Sequence, residues 1–91
     1  MIASFKSRDL QELFETGRGR RIDQKLQKRC RLRLDALHQA KDLRDLHQPG
    51  FELHKWEGYT TRWSISVSGH WRILFDWING EAHNVDLSQP H

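Results

Sequence analysis

From Arg62 to Asp86 the chain reads RWSISVSGHWRILFDWINGEAHNVD, alternating apolar and polar residues with a period of two and breaking at Ser68-Gly69 and Asn79-Gly80. Alternation of that period marks strands with one buried face, and the breaks are turn dipeptides, so the stretch predicts a three-strand antiparallel meander. Residues directly opposite in an antiparallel pair share a face. The odd-numbered Trp63, Ile65 and Val67 must then oppose the odd-numbered Trp71, Ile73, Phe75 and Trp77, which requires an odd loop. A three-residue connection Ser68-Gly69-His70 meets that condition. It pairs Val67 with Trp71, Ile65 with Ile73 and Trp63 with Phe75, and on the other face Ser66 with Arg72, Ser64 with Leu74 and Arg62 with Asp76. The same parity argues against a two-residue turn at Asn79-Gly80, which would set Val85 and Leu87 against Leu74 and Arg72. A loop Ile78-Asn79-Gly80, with Gly80 left-handed in a bulge, instead pairs Phe75 with His83, Ile73 with Val85 and Arg72 with Asp86. One face is then apolar and buries Trp63, Trp71 and Trp77. The other is a polar platform centred on Arg72.

A sheet with one apolar face needs a second layer, and the N-terminal half supplies helices. Met1 to Phe5 is a short edge-strand candidate. Ser7 caps a first helix with Asp9 in its first turn, Leu10, Leu13 and Phe14 at helical spacing, and Gly17 as its stop. Arg18, Arg20 and Arg21 lie in a flexible basic connection. A second helix runs from about Ile22 to Ala40, its stripe made by Ile22, Leu26, Cys30, Leu34 and Leu37. Lys25, Lys28, Arg29, Arg31 and Arg33 crowd its other faces, and His38 suits its C-terminal dipole. Lys41 to His47 reads as a short helical turn ended by Pro49-Gly50. Phe51 to Glu57 reads as a strand with Phe51 and Leu53 toward the helices and Glu52, His54 and Trp56 on the polar face. After Asp86, Pro90 sends the tail off the sheet to lie along its open rim. At 91 residues, the chain predicts one α+β domain over residues 1–91, two N-terminal helices on one face of a twisted, mainly antiparallel sheet.

A formal charge of +3 favours polyanionic partners. A lone cysteine excludes an internal disulfide and offers no thiol cluster for a metal. With neither a signal-like apolar run nor a membrane-spanning stretch, the expectation is a cytoplasmic chain without membrane contact.

Strand parity brings His54 and Arg72 to one face, with His91 free to fold over it. Two imidazoles and a guanidinium suit cleavage of RNA by its own 2′-hydroxyl: one histidine takes the 2′-OH proton, a second group protonates the leaving 5′-oxygen, and the cation offsets charge on the phosphate. No metal or cofactor is required. Structural roles compete with this reading, since Arg72 and Arg62 have Asp86 and Asp76 as cross-strand partners. Ser64 and Ser66 share the face, but no nucleophile motif accompanies them.

The segments MIASF, LFETG, LHKWEG and WSISVSGHWRILF, and a final histidine after VDLSQP, resemble the HigB toxins, the killer-protein branch of the RelE/ParE superfamily. The resemblance implies a compact microbial-RNase fold and a ribosome-dependent endoribonuclease that cuts messenger RNA. It also implies neutralisation by a HigA-like helix-turn-helix antitoxin, with operator DNA bound only through that antitoxin. His54, Arg72 and His91 match the family's functional residues, giving two proton-transfer groups and a phosphate-binding cation. Lys55, Arg18, Arg20 and Arg21 are expected to help hold ribosomal RNA, with Gln89 and His70 at the substrate. Two departures stand out. The family's common Asp-Tyr-His ending is Gln89-Pro90-His91 here, and Glu57 replaces a basic residue sometimes found before the glycine of the LHxxxG segment. The terminal carboxylate of His91, or His70 in the adjoining loop, is expected to substitute in part for the missing groups. The alternative is a ParE-like or inactive relative that acts by protein contact, for example on gyrase, or by titrating an antitoxin.

Overall fold

The computed structural model describes residues 1–89, so Pro90 and the candidate catalytic residue His91 lie outside the described residues. Two helices, α1 (Arg8–Thr16) and α2 (Gln24–Gln39), and a 3₁₀ turn (Leu43–Leu46) precede four strands: β1 (His54–Lys55), β2 (Arg62–Ser68), β3 (Trp71–Ile78) and β4 (Glu81–Ser88). The strands pair antiparallel in the order β1-β2-β3-β4. This is the expected α+β arrangement of two helices packed with an antiparallel sheet. No helix among the described residues is long and apolar enough to cross a membrane.

Both helices start and stop where local chemistry dictates. The Ser7 hydroxyl accepts from the Leu10 N–H at 3.1 Å, and Gly17, at φ 77°, closes α1 in the left-handed conformation that a β-carbon disfavours. α2 starts two residues later than the periodicity suggests, because Asp23 is its N-cap and accepts from the Lys25 N–H at 2.9 Å. The expected stripe is the buried one: Ile22, Leu26, Cys30, Leu34 and Leu37 join Leu10, Leu13, Ile65, Ile73, Phe75 and Val85 in one core. The basic connection between the helices is less free than its composition suggests. The Gln27 side-chain amide donates to the Gly19 and Ile22 carbonyls at 2.8 and 3.0 Å, pinning the loop. His38 is not simply a dipole partner, since its Nδ1 accepts from the Ile2 N–H at 3.1 Å and its ring packs on Phe14. That bond helps tie down the N-terminal segment, which bridges β4 in parallel at Ile2 and Phe5.

The sheet register departs from expectation at two bulges. In the β2–β3 hairpin Arg62↔Asp76, Trp63↔Phe75, Ser64↔Leu74, Ile65↔Ile73 and Ser66↔Arg72 pair as expected, but Ser68, not Val67, opposes Trp71. The turn is Gly69-His70, and Val67 is the extra residue that absorbs the odd count. The second hairpin does use the two-residue turn Asn79-Gly80, with φ 52° and 77° as the mirror-image hairpin turn requires. Phe75 therefore does not oppose His83. Asp76 does, Ile73 opposes Leu87, and Arg72 opposes Ser88, not Asp86. Parity is restored inside β4, where Asn84 sits at φ 54° and the register shifts by one residue. The apolar residues still reach the core face, but Trp63, Trp71 and Trp77 are only half-buried at its margin.

The polar face is also less open than alternation implies. Ser64, Ser66 and Leu74 are buried on it. Phe51 to Glu57 does not form a full strand either, and only His54–Lys55 qualifies. Glu52 adopts φ 46°, which breaks the ladder between the Phe51 carbonyl, bonded to the Ser66 N–H, and the β1 residues.

Candidate active site

The first rung of the site is a strand pair. His54 in β1 lies opposite Ser64 in β2, and Ser64 lies opposite Leu74 in β3, two rungs along from the Ser66–Arg72 pair. Parity thus puts His54, Ser64 and Arg72 on one face, as the alternation predicts. They line a single cleft of about 730 Å³ together with Glu52, Leu53, Trp56 and Glu57.

Arg72 is held from two sides. Its Nε donates to the Ser64 hydroxyl at 2.7 Å, and Nη2 donates to the Glu52 carbonyl at 2.6 Å and, more weakly, to the Ser64 carbonyl at 3.4 Å. None of these acceptors is an ion. The cross-strand pair with Asp86 is absent because the β4 bulge moves Asp86 opposite Leu74, where its carboxylate accepts from the Leu87 N–H. Partial burial lowers the Arg72 pKa from its usual value, opposed by the nearby Glu52 carboxylate, but a guanidinium so placed stays charged. Among the described residues no hydrogen bond engages Nη1, so two N–H groups remain for a substrate oxygen. The second expected ion pair fails as well. Arg62 and Asp76 are opposite, yet the Arg62 guanidinium sits 5.6 Å over the Tyr59 ring while Asp76 accepts from Thr61 and Asn84.

His54 is exposed, so its ring is reachable from solvent. Lys55 is its neighbour in β1 but pairs with Trp63, so it belongs to the opposite sheet face and does not join the cleft. Arg18, Arg20 and Arg21 are exposed in the α1–α2 connection. Arg20 approaches Glu12 at 3.7 Å, and Arg21 lines a separate depression with Trp71, Asp86 and Leu87. His70 is exposed in the Gly69-His70 turn, outside the cleft lining. Gln89 is exposed just past the end of β4. Because the bulge sets Ser88 opposite Arg72, β4 brings the end of the described chain alongside the Arg72 backbone, while the guanidinium itself reaches the other way, across β2.

Two contributors escaped the sequence reading. Ser64 looked like one more polar platform residue, and its full burial under Arg72 could be guessed only from the Ser66–Arg72 register. Glu52 holds Arg72 through a carbonyl, and a left-handed glutamate leaves no side-chain signature. Its one sequence cue is the preceding Pro49-Gly50, which makes an irregular entry to the strand.

Comparison with known proteins adds an independent line. A family profile described as the RelE-like toxin of the type II toxin-antitoxin system HigB matches residues 3–91. The chain is 36% identical to a protein named endoribonuclease HigB from Proteus vulgaris, with the full length of both chains covered. It is 32% identical to toxin HigB-1 of Vibrio cholerae, covering 100% of this chain and 98% of that one.

Proposed function

The chain belongs to the HigB-like toxin family of type II toxin-antitoxin systems, and from that premise we propose that it is an endoribonuclease whose cleft carries the reaction. The observation that supports this most is the joint presentation of an exposed His54 and a rigidly held Arg72 in one cleft. RNA supplies its own nucleophile. His54 accepts the 2′-OH proton as the 2′-oxygen attacks phosphorus, and a 2′,3′-cyclic phosphate forms as the bond to the 5′-oxygen breaks. His91 donates a proton to that departing oxygen, and the open edge of Arg72 offsets the charge gathered on the phosphate. The placement of Ser88 opposite Arg72 supports the assignment to His91, since the register brings β4 to the strand position that carries the cation. His70 and Gln89 flank this end of the sheet as secondary substrate contacts.

The substrate is messenger RNA on the ribosome, and the exposed Lys55, Arg18, Arg20 and Arg21 lie outside the cleft, as contacts to a larger RNA surface should. The inhibitor is a HigA-like helix-turn-helix antitoxin, operator DNA is reached only through it, and the setting is the cytoplasm. Growth after induction in cells tests the site: Arg72→Ala and His54→Ala should each abolish arrest while the purified proteins keep the parental circular dichroism and melting behaviour. Full toxicity of both folded variants would remove the site assignment.

A further inference from the structure

We infer that Trp56 and Glu57 form a nucleobase subsite beside His54 and Arg72, one that selects a base rich in hydrogen-bond donors, guanine above all. The inference rests on the RNA-cleaving reading of the cleft and extends it to base choice.

Trp56 continues the face that carries His54: its N–H donates to the Arg62 carbonyl at 2.9 Å, one rung beyond the β1–β2 pairs. Its half-buried ring lines the same cleft as His54 and Arg72. The ring is braced from outside the cleft lining. Tyr59 meets it edge-on with centroids 6.5 Å apart, and Arg62 covers Tyr59 in turn. A tryptophan at a wet wall, belonging to no part of the core and steadied by a second aromatic ring 55% exposed, is placed as a stacking surface. Bases of any kind stack on such a ring.

Discrimination comes from Glu57, whose exposed carboxylate on this cleft repels phosphate. A bound nucleotide therefore lays its phosphate toward Arg72 and its uncharged base toward Trp56. A carboxylate only accepts. The Watson–Crick edge of guanine offers it two adjacent donors, N1–H and N2–H. Adenine and cytosine offer one amino group beside a ring acceptor, and uracil sets a single imino donor between two carbonyls that repel the carboxylate. Glu57 follows Trp56 directly, so one chain segment supplies both the stacking surface and the acceptor.

Titration of the whole protein with guanosine 3′-monophosphate and with uridine 3′-monophosphate, followed on the Trp56 indole N–H resonance and, for the Trp56 variants, on the backbone amides around the cleft, tests the subsite. Loss of that resonance in Trp56→Phe assigns it. The guanosine nucleotide should bind about tenfold more tightly than the uridine one, Trp56→Ala should weaken it by about tenfold, and Trp56→Phe should retain most of the affinity. Glu57→Gln, at an exposed position, should erase the preference without altering the rest of the spectrum. Equal affinity for the two nucleotides, or a preference that survives Glu57→Gln, overturns the subsite. Cut sites mapped in parallel on ribosome-bound RNA separate this from the parent reading. Cleavage with no base preference in cutting or binding overturns the subsite and keeps the reaction, whereas guanosine-selective binding that depends on Glu57, without cleavage, supports the subsite and removes the reaction.

Discussion

Arg72 is tied down by a buried serine and a strained backbone, and that makes its shape, not only its charge, indispensable. Nε and Nη2 reach the Ser64 hydroxyl at 2.7 Å and the Glu52 carbonyl at 2.6 Å, and no hydrogen bond from the described residues engages Nη1. A lysine ammonium is a single point and cannot make both contacts while also facing the cleft. Arg72→Lys should therefore lose nearly as much cleavage activity as Arg72→Ala. A lysine variant with near-parental turnover would mean that charge alone suffices. Ser64 is fully buried and acts only through Arg72, so Ser64→Ala should lower turnover by about 10- to 100-fold, the scale expected when a catalytic group drifts from its working position. Ser64→Thr, which keeps the hydroxyl, should recover part of it, a rescue that a purely packing role would not produce.

At the level of elements, β4 decides what Arg72 faces. The Asn79-Gly80 turn sets one register and Asn84, at φ 54°, resets it, so Asp86 is carried away from Arg72 and Ser88 brought to it. A left-handed residue with a β-carbon costs about 1–2 kcal/mol unless it is asparagine or glycine. Asn84→Gly should accordingly melt higher than Asn84→Ala by the equivalent of about 1 kcal/mol, both having lost the same side-chain bond to Asp76. Equal melting temperatures would show that the bulge carries no strain. In α2, burial pushes the Cys30 thiol from 9.0 to about 11. A raised folded-state value means the neutral thiol stabilises the fold fully below pH 9.0 and that this contribution is lost as pH climbs toward about 11. Urea midpoints should fall across that window, and Cys30→Ala should fall less. These two elements also mark what sequence can reveal. The α2 stripe was legible because period and burial agree over four turns. The β2–β3 pairing near the site was legible because parity leaves few choices. Parity alone, however, constrains only the sum of loop and bulge residues. It could not tell a three-residue loop from a two-residue loop plus a bulge, and so it misassigned the partner of Arg72. The half-buried tryptophans escaped for a related reason, since alternation gives a residue's face and not its distance from the sheet margin.

For the molecule as a whole, two helices cover one sheet face and leave the other to a cleft lined by an imidazole, a guanidinium, an aromatic ring and two carboxylates. The placement of His54 with Arg72 was readable from strand register. Glu52 as a carbonyl anchor was not, because backbone conformation at a non-glycine residue leaves little trace in the side chains. Mapping the 5′ ends of cellular messages within minutes of inducing the parental chain, Arg72→Ala and His54→Ala, at matched levels of folded protein, decides whether this cleft cuts RNA. New, discrete ends within translated regions for the parental chain alone are the predicted result. Intact messages during a growth arrest that both variants also cause would contradict it.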